Sequence, residues 1–316
     1  MKQFLIRVAV FLLPIAVLLY PLDVLLSKWY KMTHRYPGEL EVWNAIYDGT
    51  AQCDMAVYGS SRAWVQIDPA ILSDSLHCKV YNFGMDGQNF LMQYMRHSEF
   101  VKHNPFPKHI VLSVDVFSLA KKDGIYEVKQ FLPYVLWNRN MASVTVHEHG
   151  FKWVDPFIPL VRYSGYGDVL RQIETNAREG ESQEQYRTNG YRGMDRTWSN
   201  DYKKATEQQA SLQLEIDPAI QLKLESLIRE CKEAGGNLTF VYCPEHILGQ
   251  QYVTNRAEII NTFRTIAQQN GIQFLDYSYL PICNDTSYFY NASHLNRAGS
   301  MLFSTELASD LKRVYK

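Results

Sequence analysis

From residue 50 onward, short apolar runs alternate with longer stretches whose apolar residues recur every three or four positions. The short runs CDMAVYG, KVYNFG, HIVLSVDVF, NLTFVYCPEH and IQFLDYS predict five strands. Between them, DPAILSDSLH, QNFLMQYMRHSEFVKH, DPAIQLKLESLIRECKEAGG and NRAEIINTFRTIAQQNG read as helices, and a last helix follows HLNRAGS. Asp68 before Pro69 is an N-cap followed by proline at the first helical position, and Gly271 closes the fourth helix. Strands alternating with helices predict an α/β fold with a parallel sheet covered on both faces. Ligands of such sheets bind beyond the carboxyl ends of the strands.

Two segments break the rhythm. Residues 116–205 hold FLPYVLWNRNMASVTVHEHG and a polar stretch around GESQEQYRTNGYRGMDRTWSNDYKK. They predict a helical or loop insertion between the third and fourth strands, and loops of that length are usually functional. The amino terminus, MKQFLIRVAVFLLPIAVLLYPLDVLLSKWYK, is apolar from Val8 to Leu22, then carries Asp23 and VLL. That run falls short of the roughly 20 residues of a spanning helix unless Asp23 lies near the interface. No small-x-small cleavage site follows, so residues 1–34 read as an uncleaved signal anchor. Lys2 and Arg7 favour a cytoplasmic amino terminus, and Lys28, Lys31 and Arg35 pull the other way. The expectation is one membrane helix, with residues 35–316 outside the cytoplasm.

Composition narrows the classes. In 316 residues, 46% are hydrophobic and 21% charged, which suits a folded chain and excludes general disorder. The net charge of −1, with no basic run, speaks against nucleic acid as a partner. Aromatics make up 13%, chiefly tyrosine, which suits packing and also the stacking of sugar rings. The five cysteines form no CxxC pair and read as free thiols. His147 and His149 of HEH lack a third ligand with a natural position, and no P-loop or dinucleotide glycine pattern occurs, so neither a metal nor a cofactor is implied.

The chemistry concentrates at strand ends. Gly59-Ser60-Ser61-Arg62 follows the first strand, where it is either a tight turn of small residues or a displayed nucleophile. A serine attacks a carbonyl only when a base takes its proton. His294, in FYNASHLNRAGS after the fifth strand, lies at the same sheet end, and Asn291 three residues upstream is placed to orient its ring. The backbone amides of Ser61 and of Gly87, in NFGMDGQN, are candidate donors to an oxyanion. Each piece alone reads as a turn or a cap; their conjunction on one sheet is what points to catalysis. Asn89 and Asp115 are candidate substrate contacts, with Arg192 and Tyr191 as weaker ones.

The order of these pieces resembles the SGNH (GDSL-type) hydrolase-like superfamily over about residues 50–115 and 235–316. GSSR resembles its first block, NFGMDG its second and NASHLNRAG its last. The resemblance implies a flavodoxin-like three-layer sandwich with five parallel strands, Ser61 as nucleophile, His294 as base and Gly87 as the oxyanion glycine. Two positions depart from it. Asp115 stands near the place of an oxyanion asparagine, where an ionised carboxylate would repel, and Asn291 stands where the family has aspartate. Asparagine fixes the ring without stabilising an imidazolium by charge, which predicts slow chemistry or none. With the anchor, the chain is similar to accessory proteins of bacterial envelope O-acylation, of the D-alanine-transfer or exopolysaccharide-acetylation type. That implies an esterase or acyltransferase acting on a cell-surface polysaccharide or glycolipid beside a membrane-bound O-acyltransferase. The alternative is a catalytically silent scaffold for such an acyltransferase.

Overall fold

The fold was obtained as a computed structural model, which describes residues 1–122, 124–146, 150–180, 185–199, 201–209 and 211–315. Five strands, β1 (Met55–Tyr58), β2 (Val80–Asn82), β3 (His109–Ser113), β4 (Asn237–Tyr242) and β5 (Gln273–Asp276), run parallel in the order β2-β1-β3-β4-β5. This is the flavodoxin-like order, and every strand falls within the apolar run that marked it. Two further strands, β6 (Phe289–Asn291) and β7 (His294–Leu295), form a separate antiparallel pair where the sequence pattern shows only a loop.

The helices in chain order begin with α1 (Lys2–Lys31) and α2 (Glu39–Tyr47). After β1 come α3 (Ser61–Gln66) and α4 (Pro69–Leu76), and after β2 comes α5 (Phe90–His103). Between β3 and β4 lie α6 (Arg139–Thr145), α7 (Gly167–Glu179), α8 (Asp201–Gln208) and α9 (Pro218–Glu233). Next, α10 (Ile247–Tyr252) and α11 (Arg256–Asn270) lead to β5, and α12 (Arg297–Val314) closes the fold. The caps act as their residue types dictate: the Asp68 and Asp217 carboxylates accept from the Ala70 and Ala219 amides at 2.9 and 2.8 Å, each before a proline.

The chain divides into two compact units, Val42–Lys122 with Tyr186–Lys316, and Met1–Glu41 with Asp123–Gln185. The larger unit holds the sheet. Alternate strand residues serve opposite faces. Met55, Val57, Val111 and Val241 pack with α3, α4 and α12 in one buried cluster. Tyr58 and Phe240 meet rings of α5 and α11 on the other face. Along β1–β4 both faces are buried, which is why those strands read as continuous apolar runs.

The smaller unit contains α1, α6 and α7. Val10–Lys31 is long and apolar enough to cross a membrane. Phe4, Phe11, Leu13, Val17 and Leu18 are all exposed, and buried positions begin at Asp23 and recur at Ser27 and Tyr30. Asp23 is buried, and its two oxygens accept from the Arg162 guanidinium at 2.6 Å each and from the Leu160 amide at 2.5 Å. Arg162 also donates to Ser27 at 2.9 Å, and the Asn176 amide of α7 donates to the Trp29 carbonyl at 2.7 Å. The sequence lets the apolar run span a membrane only if Asp23 lies near the interface. Its last two turns of helix are instead a wall of this unit, because a carboxylate among apolar residues is kept only with a partner.

Removing that carboxylate leaves a buried guanidinium uncompensated, which typically costs about 3–5 kcal/mol. Asp23→Ala in the full detergent-solubilised chain is therefore expected to lower the melting temperature and expose residues 150–180 to protease. Unchanged melting and proteolysis would contradict this account of the anchor.

Candidate active site

The site begins with a glycine that nothing else can replace. Gly59 follows β1 with φ +153°, and an added Cβ would stand 2.7 Å from the Cβ atoms of both Ala63 and Ser113. Gly84, after β2, is as confined, with its added Cβ 2.6 Å from the Trp64 nitrogen. These two close approaches bring the first two strand ends together under α3. Asn82 fastens the junction, donating to the carbonyls of Ala63 and Ile67 at 2.8 Å and accepting from Gly84 at 2.9 Å.

The two serines that follow have different employment. Ser60 is the N-cap of α3: its hydroxyl accepts from the Arg62 amide at 3.2 Å and donates to Asp115 at 2.5 Å. Ser61 is the first helical residue, and its Oγ lies 2.7 Å from His294 Nε2. At that position its own N–H has no intrahelical acceptor. One hydroxyl thus builds the turn and the other is presented.

His294 is held from three sides. The β6–β7 pairing sets Asn291 opposite His294. Asn291 Oδ1 accepts from the amides of Ser293 and His294 at 3.0 and 2.9 Å, and from His294 Nδ1–H at 2.9 Å. An acceptor at Nδ1 fixes the tautomer that leaves the Nε2 lone pair facing Ser61. Tyr290 stacks on the imidazole, with ring centroids 5.3 Å apart and planes within 5°. Gln66 donates to the Ser293 carbonyl at 3.0 Å, tying this loop to the end of α3.

Behind the pair lies a buried charge network. Arg62 Nη1 stands 3.0 Å from Asp115 and 3.8 Å from Glu245, and its guanidinium lies 4.7 Å over the Tyr242 ring. It also donates to the Cys243 carbonyl. Tyr242 in turn donates to Glu245 at 2.7 Å. The two carboxylates hold Arg62 firmly protonated, while burial pushes the Asp115 carboxyl up against the pull of Arg62. Loss of solvent, and then the Arg62 charge, lower His294 from its ordinary 6.5 to about 3. No carboxylate at position 291 offsets them. His294 is therefore a neutral ring at physiological pH, ready to accept a proton but reluctant to keep it.

Several expected residues sit elsewhere. Asp115 is fully buried and serves Ser60 and Arg62, so it is a counter-ion for Arg62 and does not reach a substrate. Asn89 is buried at the start of α5, its amide donates to the Ala120 carbonyl at 2.9 Å, and it does not line the cavity beside Ser61. Tyr191 is buried against Ser300 at 2.8 Å, and Arg192 lies over the Tyr186 ring at 4.1 Å. Gly87 occupies a turn with φ +63°, its carbonyl accepting from Lys122, and is not among the residues lining the cavity beside Ser61. His147 and His149 lie outside the described residues. Glu245, Tyr242, Gln66 and Tyr290 were not singled out by sequence, since no motif spacing links them to Ser61.

No protein-family model matches the chain, and no curated protein matches it. Among solved structures it is similar to one described as a lipolytic protein of the G-D-S-L family from Desulfitobacterium hafniense, with 11% identity and a TM-score of 0.40. That likeness covers 81% of this chain and 98% of the other. It is also similar to one described as an acylhydrolase from Bacteroides fragilis, with 10% identity, a TM-score of 0.35, and 82% and 88% of the two chains covered.

The depressed His294 has a defined pH consequence. Its folded value lies below its unfolded one, so its contribution to stability is complete above 6.5 and is lost as pH falls from 6.5 toward about 3. The acid limb of any Ser61-dependent reaction is expected below the 6.5 of an ordinary histidine. Asn291→Asp keeps the three accepted hydrogen bonds and adds a charge opposing Arg62. It is expected to raise the neutral-pH rate by about tenfold or more and move the acid limb upward. A rate profile across pH 4–9 for both proteins checks this, and an unmoved limb would count against the assignment.

Proposed function

We propose that the chain is a serine ester hydrolase or O-acyltransferase working through an acyl-Ser61 intermediate. The observation that carries it is the 2.7 Å contact of Ser61 Oγ with a His294 Nε2 whose tautomer Asn291 fixes. Ser61 Oγ attacks the ester carbonyl as His294 Nε2 takes the hydroxyl proton. The tetrahedral adduct collapses, and His294 returns that proton to the departing alkoxide. Water or an acceptor hydroxyl, deprotonated by the same nitrogen, then attacks the acyl-serine and releases Ser61. The amide of Ser61 is the donor proposed for the oxyanion. Asn291 supplies orientation without charge, so turnover is expected to be slow beside that of a carboxylate-backed histidine.

The finer part of the proposal concerns place and substrate. The exposed apolar helix supports a membrane-anchored protein. An extracytoplasmic site, an acylated surface glycan or glycolipid as substrate, and a membrane-bound O-acyltransferase as neighbour rest on the motif resemblance of GSSR, NFGMDG and NASHLNRAG. A second reading, a silent scaffold for that acyltransferase, is favoured by Asn291 and by the low basicity of His294.

A fluorophosphonate probe decides between them. The full chain in detergent is expected to be labelled on Ser61, and both Ser61→Ala and His294→Ala, with melting temperatures near the parent's, are expected to lose labelling. A folded parent protein that stays unlabelled would favour the scaffold.

A further inference from the structure

Beside Ser61 and His294 opens a cavity of about 330 Å³ whose far wall lies outside the central sheet. The segment SLQLEI, residues 211–216, runs extended, and its burial alternates: Leu212, Leu214 and Ile216 are half-buried while Ser211, Gln213 and Glu215 are exposed. The period of two puts the three aliphatic residues on one face. Hydrogen bonds fix that face. The Leu212 amide donates to the Tyr252 carbonyl at 2.8 Å, and the Thr254 amide to the Leu212 carbonyl at 2.8 Å. Asn255 brackets Leu214, its Nδ2 donating to the carbonyl at 2.7 Å and its Oδ1 accepting from the amide at 3.1 Å. Tyr202 of α8 meets Tyr252 edge-on at 6.3 Å, and Ala205, one turn further, also faces the space.

Leu212, Leu214, Val253 and Ala205 therefore line one side of a cavity that has the serine–histidine pair on the other. A strapped wall that leaves leucines half-bare forgoes roughly 25 cal/mol for each Å² of apolar surface it could have covered. An apolar cavity of about 150 Å³ accommodates a benzene molecule. The space here is about twice that, more than an acetyl or aminoacyl group fills.

Resting on the acyl-serine reading above, we infer that the acyl half of the substrate is an unbranched hydrocarbon chain of about six to ten carbons, seated between α8, the 212–214 strap and Tyr252-Val253. The chain lies along Leu212 and Leu214 and brings its carboxyl carbon to Ser61 Oγ. Acetyl and D-alanyl esters are correspondingly poor donors.

Two measurements on the full chain in lipid nanodiscs test this. The rate of Ser61 acylation by p-nitrophenyl acetate, butyrate, hexanoate and octanoate is expected to rise about threefold to fourfold per methylene. Ala205→Trp is expected to flatten that series. Independently of catalysis, a photoreactive methyl octanoate carrying an aliphatic diazirine is applied to Ser61→Ala protein. Crosslinks are expected within residues 201–214 and 249–255. Crosslinks there, with Ser61 of the parent protein left unacylated by every ester of the series, would keep the cavity and overturn the enzyme reading. A labelled serine with a flat or acetate-favouring series, or crosslinks confined to α1, would overturn the hydrocarbon assignment and leave the enzyme reading standing.

Discussion

A guanidinium buried behind the nucleophile joins the carboxyl ends of three strands. Arg62, one residue beyond Ser61, meets Asp115 just past β3 and the Tyr242–Glu245 stretch at the end of β4. Its charge is desolvated, so both carboxylates must remain in place, and loss of either would leave a cost of several kcal/mol. The network thus fixes the depth at which α3 begins, and with it the position of the Ser61 hydroxyl. It also sets the electrostatics of the base, because the same charge disfavours a second proton on His294. One side chain therefore positions the nucleophile and moderates its partner.

This arrangement gives a physical meaning to the two departures from the familiar motif. A carboxylate at position 115 serves as the counter-ion of Arg62, with Ser60 donating to its second oxygen. An amide at position 291 accepts three N–H groups as a carboxylate would, so the ring geometry survives while the charge does not. The site keeps its shape and gives up driving force.

Much of the frame was legible in the sequence, for reasons that differ by element. The first four strands stood out because both sheet faces are buried there, and α4 and α9 because Asp68-Pro69 and Asp217-Pro218 announce their starts. Ser61, His294 and Asn291 were legible because strand ends of a parallel sheet share one edge. Glu245 was not, since a glutamate in CPEH has the same appearance whether it is solvated or pairs with a buried arginine. Nor were the uses of Asp115 and Asn89, where burial rather than residue type decides what a polar side chain can touch. The short β6–β7 pair escaped notice because two residues per strand carry no periodicity. The anchor was read over residues 1–34 with no partner for Asp23, and only Arg162, 139 positions away, shows that the carboxylate is buried in an ion pair.

That last pairing bears on what trimming the amino-terminal helix would remove. A helix that merely tethers a domain can be clipped by a juxtamembrane protease, and the domain departs intact. Here a cut after residue 31 would strip Asp23, Ser27 and Tyr30 from the interior of the smaller unit. A shed form would carry an orphaned Arg162 and an open core. The end of the amino-terminal helix and the interior of the smaller unit are therefore one cooperative piece, and neither is complete without the other.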